Sequence, residues 1–127
     1  MILLSEDPLE PQALLEKISR EGAGSLVVHY GIVKPEVEGR KTLGIRLARD
    51  GDPEGAMREI EQRLREMRDV VDVLLARRVG ELRVGETILV AAVSARTKDA
   101  AFKACEEAME LLKEKKGLRK EELFQAG

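Results

Sequence analysis

The sequence predicts an α+β protein, in which an antiparallel or mixed sheet has helices packed against it. Three observations favour this class. Apolar segments with strand character alternate in blocks with segments of helical spacing. The elements follow the order β-α-β-β-α-β-β-α, so helices interrupt the strands without alternating strictly with them. Short connections between successive strands favour antiparallel pairing. The 127 residues fit a single domain, 1–127, with one modest core.

The N-terminal half is predicted to begin with a short strand, ILL (2–4), and a helix over 11–20. SLVVHYGIV (25–33) alternates and is rich in β-branched residues, which is typical of a strand. KPEVEGRK (34–41) is polar and contains Pro and Gly, which predicts a loop, and TLGIRLA (42–48) resumes as a strand. We expect these two strands to pair as a long hairpin.

The C-terminal half contains two helices with clear start signals. Asp52 followed by Pro53 is typical of an N-cap and a first helical turn. Thr97 can cap the last helix, which we expect to run to about Lys116, with Cys105 on its buried stripe. Between the helices, VVDVLLARRV and TILVAAVS are predicted strands. The second is an almost continuous apolar run, which is typical of a strand covered on both faces.

Composition excludes several classes of function. The formal net charge is −2 and there are only two Phe, one Tyr and no Trp, which argues against nucleic-acid binding. One Cys and one His allow no internal disulfide and no Cys/His metal site, so we expect no metal and no cofactor. No run approaches the roughly 18 apolar residues of a membrane span. We therefore expect a cytoplasmic protein without a membrane partner.

Basic residues gather where strands and helices are predicted to end. Five of the eight residues in 113–120 are basic and one is acidic. Arg96 and Lys98 flank the start of the last helix, whose unpaired N–H groups also favour an anion. This pattern predicts an anion site, for which a phosphate is a suitable guest. The alternative is that the side chains only complement helix dipoles and keep the surface wet. The cations concerned are Lys34, Arg40, Lys41, Arg96, Lys98, Lys115, Lys116, Arg119 and Lys120.

Four segments together resemble a known family along nearly the whole chain. EDPLEPQALLEKI looks like the family's opening strand-to-helix connection, and GAGSLVVHYGIVK resembles its GAxVxFxGxVR strand. RRVGELRVGETILVAAVSA resembles HRxGxLxxGExxVxVxVxSAHR, and AFKACEEAMELLKEKKGLRKEELF resembles AFxACxxxxDxLKxxxPIWKKExF. In this order and spacing they resemble the large, catalytic subunit of molybdopterin synthase, which implies an α/β-hammerhead-like fold.

The resemblance implies an enzyme of molybdenum cofactor biosynthesis that transfers sulfur. A ubiquitin-like small subunit carries a C-terminal glycine thiocarboxylate, and its Gly-Gly tail enters a pocket of the large subunit. Cyclic pyranopterin monophosphate binds there and receives two sulfurs, which form the dithiolene of molybdopterin. Two large subunits form a central homodimer. These partners and this substrate are implied by the family and by nothing in the composition.

The resemblance also suggests roles for single residues. Lys120 falls on the lysine of the family's PIWK and is the predicted catalytic residue, for proton transfer or for handling an intermediate. Lys34 falls on a family arginine and keeps the charge without the bidentate fork. We expect Lys34, Arg96, Lys98 and Lys120 to converge on one pocket. The predicted substrate-binding residues are Lys34, Arg96, Lys98, Arg119 and Arg40.

Two motifs depart from the family pattern. SART replaces SAHR, so that Arg96 and Thr97 take the places of a histidine and an arginine, and GLR replaces PIW. An alternative function is therefore that of a catalytically degenerate, dimeric relative. Such a relative would bind a partner protein or an anionic pterin or nucleotide ligand without transferring sulfur.

Overall fold

The structure, a computed structural model, describes residues 1–126 and contains three helices and eight strands in that part of the chain. The predicted α+β class is confirmed. The strands are β1 (Ile2–Ser5), β2 (Ser25–Ile32), β3 (Glu36–Val37), β4 (Arg40–Arg49), β5 (Val70–Arg78), β6 (Gly80–Arg83), β7 (Thr87–Ala95) and β8 (Leu118–Phe124), and the helices are α1 (Pro11–Leu15), α2 (Pro53–Arg65) and α3 (Lys98–Leu112).

The first sheet has the strand order β1-β5-β7-β2 and supplies most of the core. Strand β1 runs parallel to β5, and the other two pairs are antiparallel. Strand β7 is buried along most of its length, as its apolar sequence predicts. Leu89 and Ala91 face α2 and α3, whereas Val90 and Ala92 face the side of α1. The alternation of a strand thus places successive residues in two separate core clusters.

The second sheet is built around β4, which pairs with β3, β6 and β8. The predicted hairpin between 25–33 and 42–48 is therefore wrong. Strand β2 pairs with β7 in the first sheet, while β4 lies in the second. The physical reason is the apolar β7, which is buried at the centre of its sheet and needs a hydrogen-bonded strand on each edge; β2 provides one of them.

Three strands were not predicted. Strands β3 and β6 lie in segments that Gly and charged residues mark as loops, and β8 carries the basic residues that were assigned to the end of the last helix. Helix α3 ends at Leu112 and not at about Lys116. The chain then enters the left-handed region at Lys115 (φ 49°) and Gly117 (φ 78°), which no continuous helix can accommodate. The first helix is also shorter than the predicted 11–20.

Both predicted helix caps are present. The Asp52 carboxylate accepts a hydrogen bond from the Gly55 backbone N–H at 3.0 Å. The Thr97 hydroxyl accepts one from the Ala100 N–H at 3.2 Å. Cys105 is buried against the sheet, as predicted, and burial raises the pKa of its thiol. Among residues 1–126, no helix is both long and apolar enough to cross a membrane.

Candidate active site

The largest cavity described in the structure has a volume of about 630 Å³ and lies where the two sheets meet the end of α3. This volume is within the range of small-molecule sites. Its walls come from the end of β2 and the following loop, the last turn of α3 and strand β8. The charged residues that line it are Lys34, Glu36, Glu38, Arg77, Glu110, Lys113, Lys115, Lys120 and Glu122.

The floor of the cavity is apolar. Ile45, Leu89 and Leu112 are buried and line it, together with the half-buried Ile88 and Met109. These side chains belong to the core clusters beneath the two sheets, so they are fixed by packing on their other sides. A rigid apolar floor beneath charged walls suits a flat heterocycle that carries a charged group.

The turn after α3 places the basic residues around this floor. The Gly117 carbonyl accepts a hydrogen bond from the Asp50 N–H at 2.8 Å, and this bond fixes the turn to the end of β4. Strand β8 then runs back along β4, where Lys120 pairs in register with Leu47. The chain reversal therefore brings Lys113 and Lys120 to one cavity.

Two of the six predicted site residues meet in this cavity. Lys34 lines it from the β2 side, and Lys120 lines it from β8. The Lys120 ammonium forms an ion pair with the Glu122 carboxylate, with 3.0 Å between Nζ and Oε1. Glu122 also lines the cavity, so the counter-ion of the catalytic candidate lies in the same site.

The structure does not bring the other four predicted residues to the cavity. The Arg40 guanidinium stacks over the Phe124 ring at 3.8 Å, and Arg119 is exposed on β8. Arg96 and Lys98 are exposed at the opposite end of α3. That helix has 15 residues and is therefore about 22 Å long. The expected convergence of Lys34, Arg96, Lys98 and Lys120 does not occur within one copy of the chain.

Three further cations line the cavity: Arg77, Lys113 and Lys115. Lys115 was among the cations of the predicted anion site, whereas Arg77 and Lys113 were not named there. Burial lowers the pKa of Lys115 below the usual lysine value, and the neighbouring charges of Lys120, Arg77 and Lys113 lower it further. Lys113 and Lys115 belong to the basic run 113–120, which was the signal for them. Arg77 and Arg78 follow the apolar run 73–76 at the end of β5, and charges in that position were the available signal.

The cavity lining contains five cationic and four acidic residues, so its excess of positive charge is small. Glu36 and Glu38 lie on the β3 segment, whereas Arg77, Lys113 and Lys115 lie at the end of β5 and after α3. Glu110 on α3 and Lys34 before β3 also line the cavity, so both sides carry both signs, and cations predominate around the end of α3. An anionic group is therefore favoured at the α3 end.

These features describe an α+β protein whose largest described cavity has an apolar floor and charged walls and suits a small anionic molecule. Comparison with known proteins gives the family. The sequence profile of the MoaE protein family matches residues 4–115, and the chain belongs to that family. The matched region includes Lys34, Arg77, Lys113 and Lys115 and ends before Lys120.

Curated relatives carry a consistent name. The chain is 33% identical over 129 residues to a molybdopterin synthase catalytic subunit of Aspergillus niger, which covers 99% of this chain and 71% of the relative. It is 33% identical over 113 residues to a protein of the same name from Pyrococcus abyssi, which covers 87% of this chain and 75% of the relative. The predictions of the family and of an enzyme, the molybdopterin synthase catalytic subunit, are thereby confirmed.

Solved structures agree on the fold. A molybdopterin synthase structure from Staphylococcus aureus has a TM-score of 0.85 at 23% identity, covering 99% of this chain and 91% of that one. A complex of subunits 1 and 2 of molybdopterin-converting factor from Helicobacter pylori includes a chain with a TM-score of 0.79 at 17% identity, covering 98% and 85%.

Proposed function

We propose that the chain transfers sulfur to cyclic pyranopterin monophosphate in the cavity at the end of α3. The observation that carries this proposal is the meeting of Lys34 and Lys120, from distant segments, around one apolar floor. Family membership supplies the reaction, and the cavity supplies a place for its substrate. The pterin ring lies on the floor formed by Ile45, Leu89 and Leu112, and the phosphate faces the cationic α3 end.

The reaction brings two anions together, the substrate phosphate and the thiocarboxylate of the small subunit. Like charges at close range in a half-enclosed site repel each other strongly, so the site needs positive charge. Lys113 and Lys120 provide it from the two sides of the turn after α3. We assign Lys120 the proton-transfer role, since it is the catalytic candidate that lies in the cavity, with Glu122 as its partner.

We propose two protein partners. The first is a small subunit whose Gly-Gly tail enters the cavity; the support is the two-subunit complex from Helicobacter pylori, which contains a chain of this fold. The second is another copy of this chain. Arg96 and Lys98 stay predicted substrate-binding residues, and about 22 Å of helix separates them from the cavity of their own chain. They would contact a substrate from the second copy of a homodimer.

Arg40 and Arg119 also remain predicted substrate-binding residues, and the cytoplasmic location remains a prediction.

Reconstitution tests the function. The purified protein is mixed with thiocarboxylated small subunit and cyclic pyranopterin monophosphate, and molybdopterin is measured. Lys120→Ala is expected to lower the rate about 100-fold or more, in line with the loss of a general acid–base group. The matched control is Lys103→Ala, which removes an exposed lysine on α3 away from the cavity and should leave the rate unchanged.

Two results of the reconstitution would contradict different parts of the proposal. Molybdopterin formation at the normal rate by a folded Lys120→Ala variant would contradict the assigned role of that lysine. No molybdopterin from the folded wild-type protein, with an active small subunit, would instead favour the degenerate relative that binds an anionic ligand or a partner without transferring sulfur.

A further inference from the structure

Arg77 is a buried charge without a counter-ion. It is 6% exposed, and burial lowers the pKa of its guanidinium. Its Nη2 donates to the Leu112 carbonyl at 3.0 Å, whereas its Nε has no acceptor among residues 1–126. No carboxylate of that part of the chain lies within ion-pair distance of it. A buried guanidinium without a counter-ion lowers the free energy of unfolding, so its presence suggests a role other than stability.

The neighbouring Arg78 shows how the fold treats a buried arginine that is only structural. It is also 6% exposed and lies on the same strand. Its Nη1 contacts the Glu86 carboxylate at 3.3 Å, and its Nη2 donates to the Glu6 carbonyl at 3.2 Å. The Nε of both arginines lacks an acceptor among residues 1–126, so the difference lies in the counter-ion: a carboxylate compensates the charge of Arg78 and none compensates that of Arg77.

Arg77 also occupies a particular position between two cavities. It lines the large cavity and a second one of about 290 Å³ between α2 and the end of α3. Leu112 and Lys115 are the other residues that line both. Arg77 and Lys115 are thus the charged part of a wall at the back of the proposed site. Lys115 holds its position in a left-handed conformation, φ 49°, in the turn after α3.

We propose that Arg77, with Lys115 beside it, forms the fixed oxyanion-binding subsite of the cavity and holds the phosphate of the substrate. This inference rests on the proposed function and deepens it. A guanidinium presents several N–H donors in a rigid plane, and Nη1, which is not enclosed and makes no hydrogen bond to residues 1–126, leaves donor capacity for a phosphate oxygen. Lys34 and Lys120 are more exposed. They would then contact the parts of the substrates that move during sulfur transfer.

Arg77→Met tests the subsite, because it removes the charge and keeps the approximate volume. The expected result is a 10- to 100-fold weaker affinity for inorganic phosphate and a similar rise in KM for cyclic pyranopterin monophosphate, roughly the effect of losing a charge-assisted hydrogen bond. The melting temperature in phosphate-free buffer should be unchanged or higher, because an uncompensated buried charge has been removed. Added phosphate should raise the melting temperature of the wild type more than that of the variant.

Arg78→Met is the matched control from the same strand. It leaves the Glu86 carboxylate without its partner and should lower the melting temperature, while phosphate affinity of the folded protein stays unchanged. Arg77→Lys keeps the charge without the planar fork and should retain part of the affinity. A structural role for Arg77 predicts the opposite, namely a lower melting temperature for Arg77→Met with unchanged phosphate affinity. That result would overturn the inference.

Two further comparisons complete the test. The first distinguishes a phosphate from a carboxylate as the bound oxyanion, and the second distinguishes failure of the subsite from failure of the proposed function. A peptide ending in Gly-Gly, with a free carboxylate, is titrated alongside phosphate; an Arg77-dependent affinity for the peptide and not for phosphate would overturn the assignment to the substrate phosphate. If the wild type forms molybdopterin while Arg77→Met keeps its phosphate affinity and KM, the subsite is wrong and the function stands. If phosphate binding depends on Arg77 but no molybdopterin forms, the subsite stands and the function is wrong.

Discussion

The two ends of helix α3 carry similar charge and differ in what surrounds it. At the N-terminal end, Arg96 and Lys98 are exposed, and the Thr97 hydroxyl caps the helix. At the C-terminal end, Lys113 and Lys115 border an apolar floor, and Arg77 donates to the Leu112 carbonyl. Basic residue type alone therefore does not define an anion site. A site needs cations that are held around a partly enclosed space, where water screens them less.

The backbone at the C-terminal end is closely packed. Gly117 has φ 78°, and a Cβ at that position would lie 2.5 Å from the Pro53 backbone nitrogen. The turn that carries the basic residues is therefore packed against the start of α2. This contact places the backbone of Lys113 and Lys115 at defined positions. The Arg96 backbone is held as closely, because a Cβ at Gly24 would lie 2.5 Å from the Arg96 carbonyl oxygen, so the two ends differ in enclosure and not in backbone packing.

Gly117→Ala should have the largest effect on stability of any change that bears on this comparison. The new methyl group meets backbone atoms, which cannot move aside as a flexible side chain can. We expect a loss of about 3 kcal/mol or more in the free energy of unfolding, measured by urea denaturation. Gly39→Ala is the control, because Gly39 has the same φ of 78° with no atom within 4 Å of the added Cβ. It should cost only about 1–2 kcal/mol, from backbone conformation alone. Equal losses for the two variants would show that the turn is not held by the contact with α2.

Lys113→Ala tests the functional side of the comparison. It removes a cation from the cavity, and we expect KM for cyclic pyranopterin monophosphate to rise about tenfold, close to 1.4 kcal/mol. Arg96→Ala, measured alongside in the reconstituted reaction, reports on the other end of the helix. A similar rise in KM for Arg96→Ala would support the proposed contact of Arg96 with substrate, whereas an unchanged KM would confine substrate binding to the C-terminal end of α3. Restoration of activity by mixing Lys120→Ala and Arg96→Ala proteins would then show that Arg96 acts from a second copy.

Thr97→Ala should have a smaller effect, confined to the N-terminal end of α3. The variant loses the side-chain acceptor for the Ala100 N–H, and we expect about 1 kcal/mol less free energy of unfolding. Thr97→Ser keeps the hydroxyl and should recover most of the loss. Substrate KM should stay constant in the Thr97→Ala protein. A changed KM would indicate that this end of the helix does take part in substrate binding.

Lys115→Gln should have the smallest effect on stability, and its sign depends on pH. The folded protein lowers the pKa of Lys115, so the charged form is disfavoured by folding. The wild type is therefore less stable than the variant at pH 7. The difference narrows as the pH rises from the lowered, folded-state pKa towards the usual lysine value of about 10.4. Because the side chain is partly exposed, we expect less than about 0.5 kcal/mol at pH 7. Urea denaturation at pH 7 and pH 10 measures it, and a wild type that is more stable at pH 7 would contradict the sign.

The sequence was informative about single elements and less so about how they meet. Buried β7 and the caps Asp52 and Thr97 were predictable because their signals are local. The partners of β2 and β4 were not, because pairing depends on which edges of β7 need a strand, and this is a property of the whole sheet. Strand β8 was missed because its charged sequence takes its conformation from pairing with β4.

The same distinction applies to the site. Lys34 and Lys120 were predictable from the resemblance of short motifs, and the structure brings both to the cavity. Arg77 was missed because its burial, its contact with the Leu112 carbonyl and its place between two cavities arise only when β5 packs against the end of α3. Arg96 and Lys98 were grouped with the pocket by charge, and their distance from it follows from the length of α3.

The most direct test of the central claim is a crystal structure of the protein with cyclic pyranopterin monophosphate bound. We expect the pterin on the floor formed by Ile45, Leu89 and Leu112, and the phosphate within about 3 Å of donors on Arg77 or Lys115. Lys120 should lie beside the reacting carbons. A ligand held by Arg96 and Lys98, without contact to Lys120 of either copy, would contradict it.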